Sequence, residues 1–142
     1  MTIAAILSTK GAEVISVSPD QTVADAIALL AERRIGAVPV IDGEDVIGIF
    51  SERDVVYGLH SGGAALLERP VHEVMTGPIH TVAEDDSVLG ALSLMTQRRL
   101  RHLPVVEGHR VIGIVSIGDL VKYRIDRIEA EASAMRDYIT QA

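Results

Sequence analysis

The chain repeats itself. Gly48-Ile49-Phe50-Ser51-Glu52-Arg53-Asp54 returns 65 residues later as Gly113-Ile114-Val115-Ser116-Ile117-Gly118-Asp119. At that one offset, without a gap, Val17 matches Val82, Val23 matches Val88 and Leu29 matches Leu94. Arg33-Arg34 matches Arg98-Arg99, Pro39 matches Pro104 and Gly43 matches Gly108. A match sustained at one register marks an internal duplication. Two copies are too few to stack as a solenoid, so they suit a pseudo-two-fold pair whose sheets bury each other's faces.

The first copy sets out the elements. Val14 to Val17 is a short strand candidate, stopped by Pro19. Thr22 opens a helix with a Thr-x-x-Asp box, and Val23, Ala26, Ile27 and Leu30 share one helical face. That helix ends at Arg33-Arg34, where basic side chains suit the negative end of the helix dipole. Val38 to Ile41 is a strand, Asp42-Gly43 a tight turn, and Val46 to Phe50 a third strand. Ser51 leads into a helix from about Glu52. His60-Ser61-Gly62-Gly63 is the clearest break in the chain, with a short helical piece from Ala64 to Glu68 after it. Val71 to Met75 repeats an amphipathic turn at Ile3 to Leu7, and the pattern starts again at Ile79. The expected division is a first motif over 1–61, a linker over 62–78, a second motif over 79–124 and a C-terminal helix over 125–142.

In that last helix Val121, Ile125, Ile128, Ala132, Met135 and Ile139 alternate four and three residues apart. This is the spacing of a heptad seam. It serves either to pack on the protein's own body or to pair helices in a homodimer.

Composition removes several functions. Hydrophobic residues make up 48% of the 142, but aromatics only 3%, so Val, Ile, Leu and Ala must build the core. An aromatic platform for stacking bases is not available. A net charge of −7 disfavours binding to nucleic acid, whose affinity rests on neutralised phosphates. With no cysteine there is neither a disulfide nor a thiolate metal site. No apolar run nears the roughly 20 residues that span a bilayer, and the first residues lack the basic-then-apolar order of a signal peptide. The expectation is a soluble, cytoplasmic protein with no membrane contact. No phosphate-binding Gly-x4-Gly-Lys-Ser/Thr loop, no Gly-x-Gly-x-x-Gly and no Gly-x-Ser-x-Gly elbow occurs. The five histidines form no i, i+4 pair. No catalytic residue and no metal ligand is nominated, and an enzyme is not expected.

The repeated Ser-x-x-Asp corner admits two readings. It is a plain helix start, in which Ser caps the first turn and an acid suits the dipole. It is also a place where a carboxylate and free backbone amides face outward together.

The unit strand–helix–strand–turn–strand–helix, with Val38-Pro39-Val40-Ile41 and then Gly48 to Asp54, resembles the cystathionine β-synthase (CBS) domain. Val74-Met75-Thr76, Arg101-His102-Leu103-Pro104-Val105-Val106 and Gly113 to Asp119 carry the same likeness in the second copy. Together they resemble a tandem CBS pair, or Bateman module, of the stand-alone type in bacteria and plant organelles, from about Ile3 to Tyr123. The resemblance implies an α/β (α+β) fold of two pseudo-symmetric β-α-β-β-α motifs packed through their sheets, plus the long C-terminal helix. It implies two clefts for adenosyl ligands, AMP, ADP, ATP, NAD(H) or S-adenosylmethionine, in a non-catalytic module that signals to an unknown regulated protein, commonly as a homodimer. The alternatives are an S-adenosylmethionine sensor and a protein-interaction scaffold with empty clefts.

By the same resemblance, Asp54 and Asp119 accept from the two ribose hydroxyls. Ser51, Ser116, Arg53, Arg101 and His102 serve phosphate, which a helix N-terminus favours. Ser16, Ala37, Val38, Pro39, Met75, Thr76, Thr81, Leu103 and Pro104 line the adenine slot. The copies differ before the proline: Leu100-Arg101-His102-Leu103 stands where the first copy has Ile35-Gly36-Ala37-Val38. In the family such basic residues reach the cleft whose Asp comes from the other motif. Arg101 and His102 then pair with Ser51 and Asp54, which leaves the Asp119 cleft less basic.

Overall fold

Each long helix begins where its cap predicts. Thr22 Oγ1 accepts from the Asp25 amide at 3.1 Å, and Ser87 Oγ accepts from the Gly90 amide at 2.9 Å. The computed structural model describes residues 1–11, 13–77 and 79–141. In chain order its elements are α1 (Ile3–Lys10), α2 (Val23–Arg33), β1 (Ala37–Asp42), β2 (Asp45–Ser51), α3 (Glu52–Gly62), α4 (Val88–Arg98), β3 (His102–Glu107), β4 (Arg110–Ser116) and α5 (Ile117–Gln141). Two tight helical turns, Gly63–Glu68 and Val71–Glu73, join α3 to the second copy. No helix among the described residues is long and apolar enough to cross a membrane.

The sheet runs β1-β2-β4-β3. Each copy contributes one antiparallel hairpin, and β2 and β4 meet antiparallel where Asp45 pairs with Arg110. The repeat is preserved in detail. Gly43 and Gly108, both at φ 64, make the two turns that the sequence predicted, a conformation open to glycine at little cost. Both hairpins shift register at the same place, after Val40 and after Val105.

The first strand of each copy is shorter than its sequence predicts. It touches the sheet only at the parallel bridges Val17–Val40 and Val82–Val105. Val17 donates to the Pro39 carbonyl at 3.1 Å and accepts from Ile41 at 2.9 Å; Val82 and Pro104–Val106 do the same at 3.0 and 2.9 Å. The next bond back along the ladder would need an N–H from Pro39 or Pro104, which proline lacks. Pro19 ends the first ladder on its other side for the same reason. The break expected at His60 also falls later: α3 continues through Ser61 to Gly62, and Gly63, at φ 63, turns the chain.

Two clusters form the core, and neither follows the repeat boundary. Val17, Val23, Ala26, Leu30, Val38, Val40, Phe50, Leu66 and Val71 make the first. Val82, Val88, Ala91, Met95, Leu103, Val105, Val115 and Leu120 make the second, together with Ile3, Ile6 and Leu7 of α1. The segment leading into each copy therefore packs on the other copy. Matching glycines make room for it. A Cβ at Gly48 would lie 2.5 Å from Met75 Sδ, and one at Gly113 would lie 2.7 Å from a Leu7 methyl.

Beyond Arg124, α5 stands clear of the body, and every described residue from Ile125 on is exposed.

Candidate functional site

The two corners start alike. At the end of β2 the extended backbone of Ser51 (φ −134, ψ 167) gives way to α3. Ser51 donates to Asp54 Oδ2 twice, from its amide at 2.9 Å and from its hydroxyl at 3.1 Å. Thr76, reaching over from the lead-in segment, donates its hydroxyl to Asp54 Oδ1 at 2.8 Å. Both carboxylate oxygens are satisfied, and the residue is only 9% exposed.

At the end of β4, the Ser116 amide donates to Asp119 Oδ2 at 2.8 Å and Ser116 Oγ accepts from the Asp119 amide at 3.1 Å. Here the third partner is a cation. Lys10 Nζ, from the end of α1, lies 2.6 Å from Asp119 Oδ2 and donates to the Ile114 carbonyl at 2.8 Å. Burial pushes the Asp119 carboxyl up, but the hydrogen bonds from Lys10 and Ser116 and the Lys10 charge outweigh it and hold it below its usual range.

A cleft opens beside each corner, and each is walled by both copies. The α3 cleft takes Ile49, Ser51, Glu52 and Arg53 from the first motif and Arg99, Leu100, Arg101 and His102 from the second, with Thr76, Ile79 and His80 between them. The α5 cleft takes Ile114, Ser116 and Asp119 from the second motif and Arg34, Ile35, Gly36 and Ala37 from the first, with Lys10, Glu13 and Ile15. The two sets correspond at the 65-residue offset: Ile49 with Ile114, Ser51 with Ser116, Arg99 with Arg34, Leu100 with Ile35. Where one wall carries Arg101 and His102, the other carries Gly36 and Ala37.

The charges differ accordingly. The α3 cleft holds Arg53, Arg99 and Arg101 against Glu52. In the α5 cleft, Lys10 and Arg34 stand against Glu13 and Asp119. His102 and Gly36 line both clefts. Burial lowers the His102 pKa and Lys10 and Arg101 lower it further, against the opposite pull of Asp119 and Glu52. Its ring is biased to the neutral form.

This pseudo-symmetric pair of cross-walled clefts has known relatives. The sequence profile of the family described as CBS domain matches residues 4–61 and again 71–126. The chain is a tandem CBS-domain protein. It is similar to the CBS domain-containing protein YhcV of Bacillus subtilis, 31% identical over 130 residues that cover 92% of this chain and 91% of that one. It is 33% identical over 125 residues to the mitochondrial CBS domain-containing protein CBSX3 of Arabidopsis thaliana, covering 84% of this chain but 61% of that longer protein. A solved structure of a protein with CBS domains from Burkholderia ambifaria superposes with a TM-score of 0.83 at 40% identity, covering 89% and 95% of the two chains. The CBS domain pair of MJ0100, solved in complex with 5′-methylthioadenosine and S-adenosyl-L-methionine, shares the fold with a TM-score of 0.80 at 22% identity, covering 89% and 98%.

In this CBS pair the residues singled out from the sequence divide into three groups. Ser51, Arg53, Thr76, Arg101 and His102 meet in the α3 cleft. Ala37, Ser116 and Asp119 meet, again with His102, in the α5 cleft. The rest lie off both walls. Val38, Pro39, Leu103 and Pro104 are buried, Met75 packs on the first core, and Ser16 and Thr81 are exposed at the rims of their short bridges. Asp54 sits behind Ser51 rather than on the wall.

Sequence reasoning missed Lys10, Arg34 and Arg99. Lys10 is 104 residues from Ile114, a pairing that no local pattern announces. The arginines did leave a trace. Both close their helices in the left-handed conformation, at φ 53 and φ 55, which costs a residue with a Cβ about 1–2 kcal/mol. Glycine is the usual choice there. An Arg-Arg doublet repeated at that position in both copies was the available signal.

Proposed function

We propose that this CBS pair is a regulatory module that binds an adenine nucleotide, with the α3 cleft as its phosphate site. The observation that carries this reading is the convergence of Arg53, Arg99 and Arg101 from two motifs on the N-terminus of α3, beside the Ser51 hydroxyl. A helix N-terminus offers free amides and a positive dipole end to an anion, and arginine forks match phosphate oxygens. Ile49, Ile79 and Leu100 supply apolar wall for a base. The adenosyl ligands named for MJ0100 support the same ligand class.

In this reading Asp54 and Asp119 accept from the ribose diols. Asp54 does so by exchanging the Thr76 hydroxyl for a ribose hydroxyl. Arg53, Arg101, His102 and the two serines hold phosphate. The adenine slot uses Ala37 and Thr76 on the cleft walls, backed by Val38, Pro39, Met75, Leu103 and Pro104, with Ser16 and Thr81 at its rims. AMP, ADP, ATP and NAD(H) fit the basic cleft better than S-adenosylmethionine. The free face of α5, where Ile125, Ile128, Met135 and Ile139 are 48 to 66% exposed, is assigned to a homodimer seam through which occupancy reaches a regulated protein.

Thermal shift with AMP, ADP, ATP, NAD(H) and S-adenosylmethionine tests the ligand class. A ligand at a hundred times its Kd adds about 2.7 kcal/mol. No shift with any of them favours an interaction scaffold instead. Native mass spectrometry of the purified protein reads the oligomer mass and any nucleotide carried with it.

Replacing Arg101 with alanine is expected to weaken the nucleotide with the most phosphates by about tenfold, the loss of one charge-assisted hydrogen bond. Adenosine itself is expected to be little affected. Calorimetry compares the two, and unchanged affinity for the phosphorylated ligand would remove Arg101 from the site.

A further inference from the structure

Thr76 and Lys10 do the same work at the two corners with different charge. Thr76 bonds the carbonyl of Ile49 from its amide at 2.9 Å and Asp54 from its hydroxyl at 2.8 Å. Lys10 bonds the equivalent carbonyl, Ile114, and the equivalent carboxylate, Asp119, through one ammonium at 2.8 and 2.6 Å. A diol that takes Asp54 releases a neutral hydroxyl. A diol that competes for Asp119 Oδ2 draws that oxygen away from an ammonium beside a cleft walled by Ile15, Ile35 and Ile114. The Lys10 side chain is 37% exposed, so the loss is modest, and an anion on the ligand makes it good.

We infer that Lys10 is the specificity-determining residue of the α5 cleft, which prefers an adenosyl ligand that brings its own anion on the 5′ carbon. This rests on the nucleotide reading above and narrows it. The released ammonium, on its flexible four-carbon stem, turns from Asp119 to the 5′ anion, and the ligand replaces the counter-ion it removed. Arg34 and the N-terminus of α5 face the same space. Little further positive charge is available, because Glu13 lines the cleft as well. One phosphate suits it better than a polyphosphate chain. A neutral thioether at the 5′ carbon leaves Lys10 unpaired, and a sulfonium there adds a second cation beside it. The cleft therefore favours AMP over 5′-methylthioadenosine and disfavours S-adenosylmethionine most.

The test is isoleucine-methyl NMR, because the clefts carry separate reporters: Ile15 and Ile114 in the α5 cleft, Ile49 and Ile79 in the α3 cleft. AMP and 5′-methylthioadenosine are titrated into the wild type, Lys10→Met and Lys10→Arg. In the wild type, Ile15 and Ile114 are expected to respond to AMP at concentrations at least about tenfold lower than to 5′-methylthioadenosine. Lys10→Met should erase that preference, and Lys10→Arg, which keeps the cation, should retain it. Structural damage from the methionine would weaken both ligands alike and leave the ratio standing. A ratio unchanged by Lys10→Met, or α5 reporters silent while Ile49 and Ile79 shift, overturns this inference alone. Silence of all four reporters with both ligands overturns the nucleotide reading and this inference with it.

Discussion

Truncating Ile3 to alanine is expected to destabilise the protein by about 2–5 kcal/mol, out of a total of about 5–15. Ile3 is wholly buried, and it belongs to the second cluster with Val88, Met95, Leu103 and Leu120. The lost methyls leave a cavity that α1 is poorly placed to close, because its start is pinned. The Ile3 amide donates to the Asp86 carbonyl at 3.0 Å, the Ala4 amide to the Glu84 carbonyl at 2.9 Å, and the Val88 amide to the Met1 carbonyl at 3.2 Å. The damage should be local to the second core even though residue 3 opens the first copy. Hydrogen exchange reads this directly. Protection in α4, β3 and β4 is expected to fall before protection in α2, β1 and β2. Earlier loss in α2 would show that α1 supports the first core instead.

Asp54→Ala is expected to cost about 3 kcal/mol and to remove nucleotide binding from the α3 cleft. The substitution leaves the Ser51 amide, the Ser51 hydroxyl and the Thr76 hydroxyl without their acceptor in a part-buried place. Each donor so stranded costs about 1–3 kcal/mol when fully buried, so partial access to water puts the sum near the low end. Asp119→Ala gives the measure of contrast. Its side chain is 27% exposed and that of Lys10 is 37%, and an ion pair open to solvent contributes at most about 1 kcal/mol. The Asp119 share has a pH signature as well. Its carboxyl is held below the ordinary 3.8, so its contribution is complete above that pH and is lost as pH falls through the lower folded value. Urea melts of both variants at neutral pH separate the cases, and equal losses would mean that Asp54 is not the buried hub its bonds make it.

Much of this was legible in the sequence, for reasons that differ by residue. The duplication located both corners, both glycine turns and the two helices and one hairpin of each copy, because each depends on neighbours a few residues away. The pairing of Arg101 and His102 with Ser51 was also readable, but only through family resemblance. Composition and periodicity say nothing about which copy faces which. The first strands were overestimated because strand propensity counts side chains, whereas Pro39, Pro104 and Pro19 act by withholding amides from a ladder whose partners lie elsewhere in the chain. The depth of Asp54 was hidden for a similar reason. One of its hydrogen bonds comes from Thr76, which arrives from 22 residues away. The adenine-slot positions at Val38 and Leu103 went into the core because alternate residues of a strand face opposite sides, and these two face inward.

The exchange of lead-in segments has a consequence for how such a chain comes to exist. Val71 closes the first core, and Ile3, Ile6 and Leu7 close the second. A single copy of the unit completes its core by receiving this piece from another copy, which is the geometry of a domain-swapped homodimer. Joining two copies end to end turns that swap inward. The partner segment is then present at the millimolar effective concentration of a tethered chain, and assembly of the two clefts no longer depends on how much protein the solution contains. Once tethered, the halves are also free to diverge. One lead-in keeps a threonine at its corner and the other carries a lysine, an asymmetry that a true homodimer of identical units cannot encode.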